Sequence, residues 1–405
     1  MNRAWLSLVL MSALFFVITA TTFDSLGLVL PAMVADLHWT WTQAGLGYTF
    51  LGVFCGISAT VPALLIRRFG LRTTLLIGAW VMAVAFVALG YTRGLWTYLI
   101  GTSLAGLGFT LLDTVPGTYL LARLFPRPSF AIGFYFTVGG LGAIFAPVFY
   151  LGMLKLTGSW QEYWLAAGLL VALTAIAAAV LADTKTDVSA EAEADPEIST
   201  EGWSARDALR TPQFWILAAA YSAFLFCGIT ANSVSVAHLI ENGTARELAI
   251  SMIGVSGIAN AAARLAGGVL TRFINARILL MASLLSLIVG LVALAHAQSM
   301  TLVIVYALGI GIGYGLTFFA STILLLDYFG RRANLELFAT VNLISTSGSV
   351  APFLAGMSRD HLGSFTPFFL GLAVLMALVL VAVAWMRPPQ RGTRARAGHD
   401  ERVLA

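Results

Sequence analysis

The sequence predicts an all-α membrane protein of twelve transmembrane helices in two pseudo-symmetric six-helix bundles. Three observations carry that fold class. Of 405 residues, 59% are hydrophobic and only 10% charged, with a mean hydropathy of +0.89, whereas soluble domains carry about 25% charged residues. Apolar windows long enough to span a bilayer, about 20 residues each, occur twelve times. Short signatures then recur at half-chain spacing, as internal duplication requires.

The first window, 7–33, follows Arg3 and opens like a signal peptide. Its apolar run continues to Val34 without a small-residue cleavage site, which predicts a retained first helix. The next five windows are 43–66, 72–92, 96–122, 130–153 and 162–182. After them comes the one long polar stretch, acidic and poor in aromatics, expected as a flexible linker with a short helix near Trp203–Leu209. Windows 212–236, 248–271, 278–296, 300–326, 335–357 and 364–386 follow, and a basic tail ends the chain. The expected domains are an N-terminal bundle (1–183), a linker (184–211), a C-terminal bundle (212–386) and a tail (387–405).

Lys and Arg set the orientation. With both termini in the cytoplasm, 18 of the 23 basic residues fall inside, four outside (Arg93, Lys155, Arg246 and Arg359), and Arg264 alone is embedded. The positive-inside rule therefore places both ends in the cytoplasm, in an inner (plasma) membrane. Cys55 and Cys227 both lie in apolar runs and share no metal-like spacing with any histidine, so neither a disulfide framework nor a zinc site is implied.

The repeat is specific. Arg68-Phe69 and Arg272-Phe273 lie 204 positions apart; Arg72 and Arg277, Gly106-Leu-Gly-Phe109 and Gly311-Ile-Gly-Tyr314, and Ala146-Pro147 and Ala351-Pro352 each lie 205 apart. Along nearly its whole length the chain resembles the major facilitator superfamily, and within it the monocarboxylate transporters and their bacterial relatives. The resemblance rests on Arg68-Phe69-Gly70-Leu71-Arg72, on the stretch GLGFTLLDTVPGTYLLARLFPRPSFAIGFYFTVGG, and on the buried Arg of helix 8, matched by Arg264. There are departures. Arg67 replaces the usual Asp before that first Arg, Asn260 stands where the family has an Asp one turn before the buried Arg, and the helix 1 lysine pattern of the animal family is not visible.

Arg264 is the principal candidate for substrate binding. A charge at the bilayer centre costs about 2.5–3.5 kcal/mol on insertion scales, so it persists only beside a cavity, partner or substrate. Guanidinium binds carboxylate through two parallel hydrogen bonds. A permanent ion pair with a carboxylate of helix 1 or helix 4 is the structural alternative. Asn260, one turn earlier, shares its helical face. Tyr119 could hold a carboxylate beside Arg264, although it lies six residues from Asp113, about 240° around a straight helix, so a bend near Pro116-Gly117 would be needed for both to face one cavity. Tyr314 and Phe318, with Leu28 and Phe145, are expected to form the apolar side of the site. Asp24 and Asp113, the two acids well inside the predicted membrane, are the proton-coupling candidates, and Asp24 is preferred because Asn260 cannot take a proton.

The resemblance implies proton-coupled symport of a small monocarboxylate such as L-lactate or pyruvate by alternating access. Its expected partners are the carboxylate, a proton and the lipid bilayer, with a monomeric assembly and no nucleic acid or cofactor. A carboxylate exchanger and a multidrug exporter remain as alternatives. The sequence offers no nucleophile–base set, metal cluster or cofactor motif for an enzyme, and no appended signalling domain for a sensor.

Overall fold

A bilayer offers no water to backbone N–H and C=O groups, so each span must satisfy its own as a helix. The computed structural model describes residues 3–125, 128–182, 203–271, 273–330 and 332–389. Within them the apolar windows fold as α1 (Arg3–Leu37), α2 (Trp41–Ile57), α3 (Val61–Gly90), α4 (Leu95–Leu124), α5 (Phe130–Thr157), α6 (Trp160–Leu181), α7 (Pro212–Glu241), α8 (Arg246–Leu270), α9 (Ala276–Ala295), α10 (Met300–Phe329), α11 (Glu336–Leu362) and α12 (Thr366–Trp385). All but the 17-residue α2 are long and apolar enough to cross a membrane on their own. Val61–Gly90 joins two helices across a kink, so the boundary between the second and third windows stays where the sequence places it. The basic turn expected at 67–72 lies inside α3, as a break at Gly70 (φ 81°, ψ 164°), a left-handed backbone that suits a residue without Cβ.

Side chains cap the helix starts. Thr40 Oγ1 accepts from Gln43 N–H (3.2 Å) while Gln43 Oε1 accepts from Thr40 N–H (3.1 Å), a reciprocal capping box at α2. Ser159, Thr211 and Ser299 cap α6, α7 and α10 through their side-chain oxygens. Ahead of α7, Ala205–Ala208 forms the short helix expected there, and Trp203 N–H donates to Phe329 O (2.9 Å) at the end of α10. Most of the linker and nearly all of the tail lie outside the described residues.

Besides α3, four spans depart from regular helix. In α1, Ala20–Asp24 forms one wide π-helical turn, and Ser25 Oγ donates to the Ala20 carbonyl (2.6 Å) while accepting from Tyr163 Oη of α6. In α4 the break falls at Asp113 (φ −86°, ψ −141°). Pro116 explains its place: the missing N–H leaves the Leu112 carbonyl without its helical donor, and the ring clashes with that carbonyl. Leu141 interrupts α5, and Thr346–Val350 tightens α11 into a 3₁₀ turn. Such irregularities occur at membrane depth where backbone is buried in protein or lines a cavity.

The first six and last six helices touch at the face opposite the chain termini. There Asp360 of α11 accepts from Trp41 N–H (3.1 Å), Thr42 N–H (2.8 Å) and Thr42 Oγ1 (2.5 Å) of α2. Trp41 also packs edge-on against Phe365 (5.3 Å), and Arg246 of α8 donates to Tyr150 Oη of α5 (3.1 Å). Deeper in, Thr49 Oγ1 donates to Ser349 O (2.9 Å). Contact between α1 and α7 is closer still: a Cβ on Gly27 would lie 1.6 Å from Asn232 O.

Candidate functional site

The irregular turns surround a cavity of about 520 Å³ between the two bundles, with walls drawn from both. Its lining on α1 (Phe15, Thr19, Phe23, Asp24) and on α11 (Asn342 to Ser349) runs from mid-span toward the face carrying the termini. Polar contacts between the bundles close its far end. Asn232 Nδ2 of α7 donates to Asp24 Oδ1 (3.3 Å), and Tyr48 Oη of α2 donates to Phe23 O (2.8 Å) and reaches Asn232 O (3.4 Å).

Arg264 lines the cavity from α8. Its Nε donates to Asn260 Oδ1 one turn earlier (2.9 Å), and its guanidinium lies over the Phe318 ring at 4.7 Å and the Tyr314 ring at 5.9 Å. No carboxylate lies within 4.0 Å of it among the described residues, where the one ion pair is Arg359–Glu241. The permanent ion pair considered from sequence is thus absent there. Asn260 holds Nε, the ring faces support the cation, and the two terminal nitrogens remain for a ligand. Tyr314 is seated by Gly228 of α7, where a Cβ would fall 2.2 Å from the ring.

On the opposite wall stand Asp24 and Asp113. Asp24 is 5% exposed, and its Oδ2 has no hydrogen-bond partner among the described residues. Asp113 accepts from Thr114 Oγ1 through Oδ2 (2.9 Å), while its buried Oδ1 is likewise unpartnered. A buried carboxylate without a compensating cation is costly, so a proton or a cationic group is the natural occupant of this wall.

Five sequence candidates, Asp24, Asp113, Asn260, Arg264 and Tyr314, therefore share one cavity. The other four are placed differently. Phe318 lies under the Arg264 guanidinium but is not among the cavity-lining residues. Tyr119 carries the Arg123 guanidinium over its ring (4.3 Å) and does not line the cavity, because the break at Asp113 does not turn it inward. Leu28 is fully packed, at 1% exposed, and Phe145 packs between Phe16 and Phe149 on the α5–α1 contact. Sequence reasoning missed Asn232, Tyr48 and the aromatic lining Phe15, Phe23 and Phe136. For Asn232 a signal existed, an amide in the middle of an apolar window, which costs far less than a charge and so stands out less. Nothing in an aromatic-rich chain marks which phenylalanines face inward.

Comparison with known proteins agrees on the architecture. The sequence profile of the Major Facilitator Superfamily matches residues 10–351. Comparison with curated protein sequences returns no match. Among solved structures, a point mutant of the nucleoside transporter NupG superposes with a TM-score of 0.74 at 14% identity, covering 95% of this chain and 99% of that one. A bacterial homologue of the human lysosomal transporter Spinster, in an inward-facing and occupied conformation, superposes with a TM-score of 0.71 at 17% identity, covering 94% of each chain.

Proposed function

The chain belongs to the Major Facilitator Superfamily, and from that premise we propose that it is a secondary active transporter that carries a small monocarboxylate together with a proton by alternating access. The observation that carries this reading is Arg264: a membrane-embedded guanidinium that lines the central cavity and has no carboxylate partner among the described residues. With Nε held by Asn260, its terminal nitrogens suit the two oxygens of a carboxylate. Among the described lining residues it is the one cation, which favours a monoanion over the dianion an exchanger of oxalate type would handle.

Asp24 is the proposed proton site. It is tied to Asn232 across the bundle interface, so its charge sits where the bundles must part when the cavity opens to the other face. Protonating Asp24 as a carboxylate pairs with Arg264 adds one positive and one negative charge, so loading leaves the net charge of the cavity unchanged. That matters because an uncompensated charge in the bilayer is expensive. The charge distribution supports a cavity opening toward the cytoplasm, with both termini on that side.

The test is uptake of labelled L-lactate into proteoliposomes, with and without an inward proton gradient, for the wild type and Arg264→Ala. Gradient-driven uptake that disappears in the variant is expected. Uptake unaffected by the substitution would remove Arg264 as the anion receptor.

A further inference from the structure

The cavity's charges are unequal. Two carboxylates, Asp24 and Asp113, face one guanidinium, Arg264, and none of the three has an ion-pair partner among the described residues. The carboxylates stand on the N-terminal bundle and the cation on the C-terminal one, so the walls form a negative and a positive pole. A carboxylate on Arg264 and a proton on Asp24 still leave Asp113 charged, with its Oδ1 buried and unpartnered. Resting on the carboxylate-transport reading above, we infer that the solute is zwitterionic: its carboxylate pairs with Arg264 and its own ammonium group binds the Asp113 wall.

The charge count then closes. With Asp24 protonated, Asp113 and Arg264 cancel, and the zwitterion adds no net charge. A lone monocarboxylate leaves the loaded cavity one charge negative, which the low-dielectric interior penalises. The bundles are bridged between the poles: Arg264 lies over Tyr314, Tyr314 packs on Gly228 of α7, and Asn232, one turn further along α7, bonds Asp24. A solute touching both poles would therefore span the interface that alternating access must rearrange.

Size and lining narrow the class further. A volume of about 520 Å³ falls in the range of about 300–1,000 Å³ that accommodates drug-sized ligands. Five aromatic side chains, Phe15, Phe23, Tyr48, Phe136 and Tyr314, line the same cavity. Rings of this kind stack on an aromatic side chain and receive an ammonium group on their faces. The preferred solute is thus an amphipathic, aromatic amino acid, itself a monocarboxylate, which binds more tightly than a three-carbon acid.

The experiment compares binding of L-phenylalanine, phenylpyruvate, phenethylamine and L-lactate to the purified full-length protein by competition against labelled L-phenylalanine. Phenylpyruvate keeps the ring and carboxylate but exchanges the ammonium for a carbonyl. The wild type should bind L-phenylalanine at least tenfold more tightly than phenylpyruvate, and both more tightly than L-lactate. Asp113→Asn should erase the preference over phenylpyruvate, weakening L-phenylalanine and strengthening phenylpyruvate, whose loaded cavity then carries no net charge. Equal affinity of the wild type for the two aromatic acids, no binding of L-phenylalanine, or an equal loss of both in Asp113→Asn would overturn the inference. The wild-type comparison needs no variant, so a misfolded substitution leaves the question decidable. Phenylpyruvate affinity measured directly on Arg264→Ala separates the two claims: loss there, without any ammonium preference in the wild type, preserves the carboxylate receptor and removes only the zwitterion.

Discussion

Asp360 gives the sharpest test of how the two bundles are held together. The first N–H groups of a helix lack intrahelical acceptors, and in α2 three of them are satisfied from two sources. Thr40 takes Gln43 N–H from within the N-terminal bundle, whereas Trp41 and Thr42 N–H both donate to Asp360 of the other bundle, at 3.1 and 2.8 Å. Thr42 Oγ1 adds a third bond at 2.5 Å. A capping carboxylate is worth about 0.5–2 kcal/mol, and this one is exposed, so solvent screening keeps the contribution near ~1 kcal/mol. Because the contact exists only while the bundles touch at this face, Asp360→Ala should shift the conformational equilibrium about fivefold toward a state open there. Asp360→Asn, which keeps one acceptor oxygen, should shift it less. The measurement is the distance distribution between spin labels at Leu156 and Leu362, exposed positions near the ends of α5 and α11, with Cys55 and Cys227 replaced by alanine. A longer-distance population should grow in the order wild type, Asn, Ala. Identical distributions in all three would show that the Asp360 cap does not hold the bundles together at this face.

Arg264→Lys keeps the charge but loses the planar fork and the Nε bond to Asn260, so carboxylate uptake should fall at least tenfold; near-normal transport would mean that a point charge suffices. Asp24→Asn should leave substrate binding measurable but abolish accumulation driven by a proton gradient, and proton-driven accumulation at the wild-type level would exclude Asp24 from coupling. Gly27→Ala places a methyl 1.6 Å from Asn232 O, which forces α1 and α7 apart. Lower thermal stability and increased labelling from the face opposite the termini are expected, and an unchanged melting temperature would show that the helices separate at no cost.

The helices were legible because the cost of burying polar backbone and charge in lipid acts on every residue of a span, so hydropathy alone located twelve of them. Arg264 was legible for the same reason, as was the bend in α4, whose cause, Pro116, is written in the chain. Its position was not: the break falls at Asp113, because a proline disrupts the turn before itself. Tyr119 shows the limit of helical-wheel reasoning. Its distance from Asp113 was correctly read as unfavourable, but what the ring does instead, carrying Arg123, depends on a side-chain contact that spacing alone does not select. Leu28 and Phe145 fail differently. Both lie on cavity helices, and the rotation of α1 and α5 within the bundle turns them into packing contacts.

By itself, then, the sequence determined the class of molecule, the number of spans, the duplication and the embedded cation, since each follows from transfer energies or from repeated residues along one chain. Tertiary structure decided which residues meet. The Asn232–Asp24 bond joins positions on α7 and α1, the Asp360 cap joins α11 to α2, and the two-pole cavity draws on both bundles. Those pairings depend on how helices rotate and approach one another. In a membrane that is set by close packing and local hydrogen bonds rather than by hydrophobicity, which is uniform along these spans and carries little information about facing.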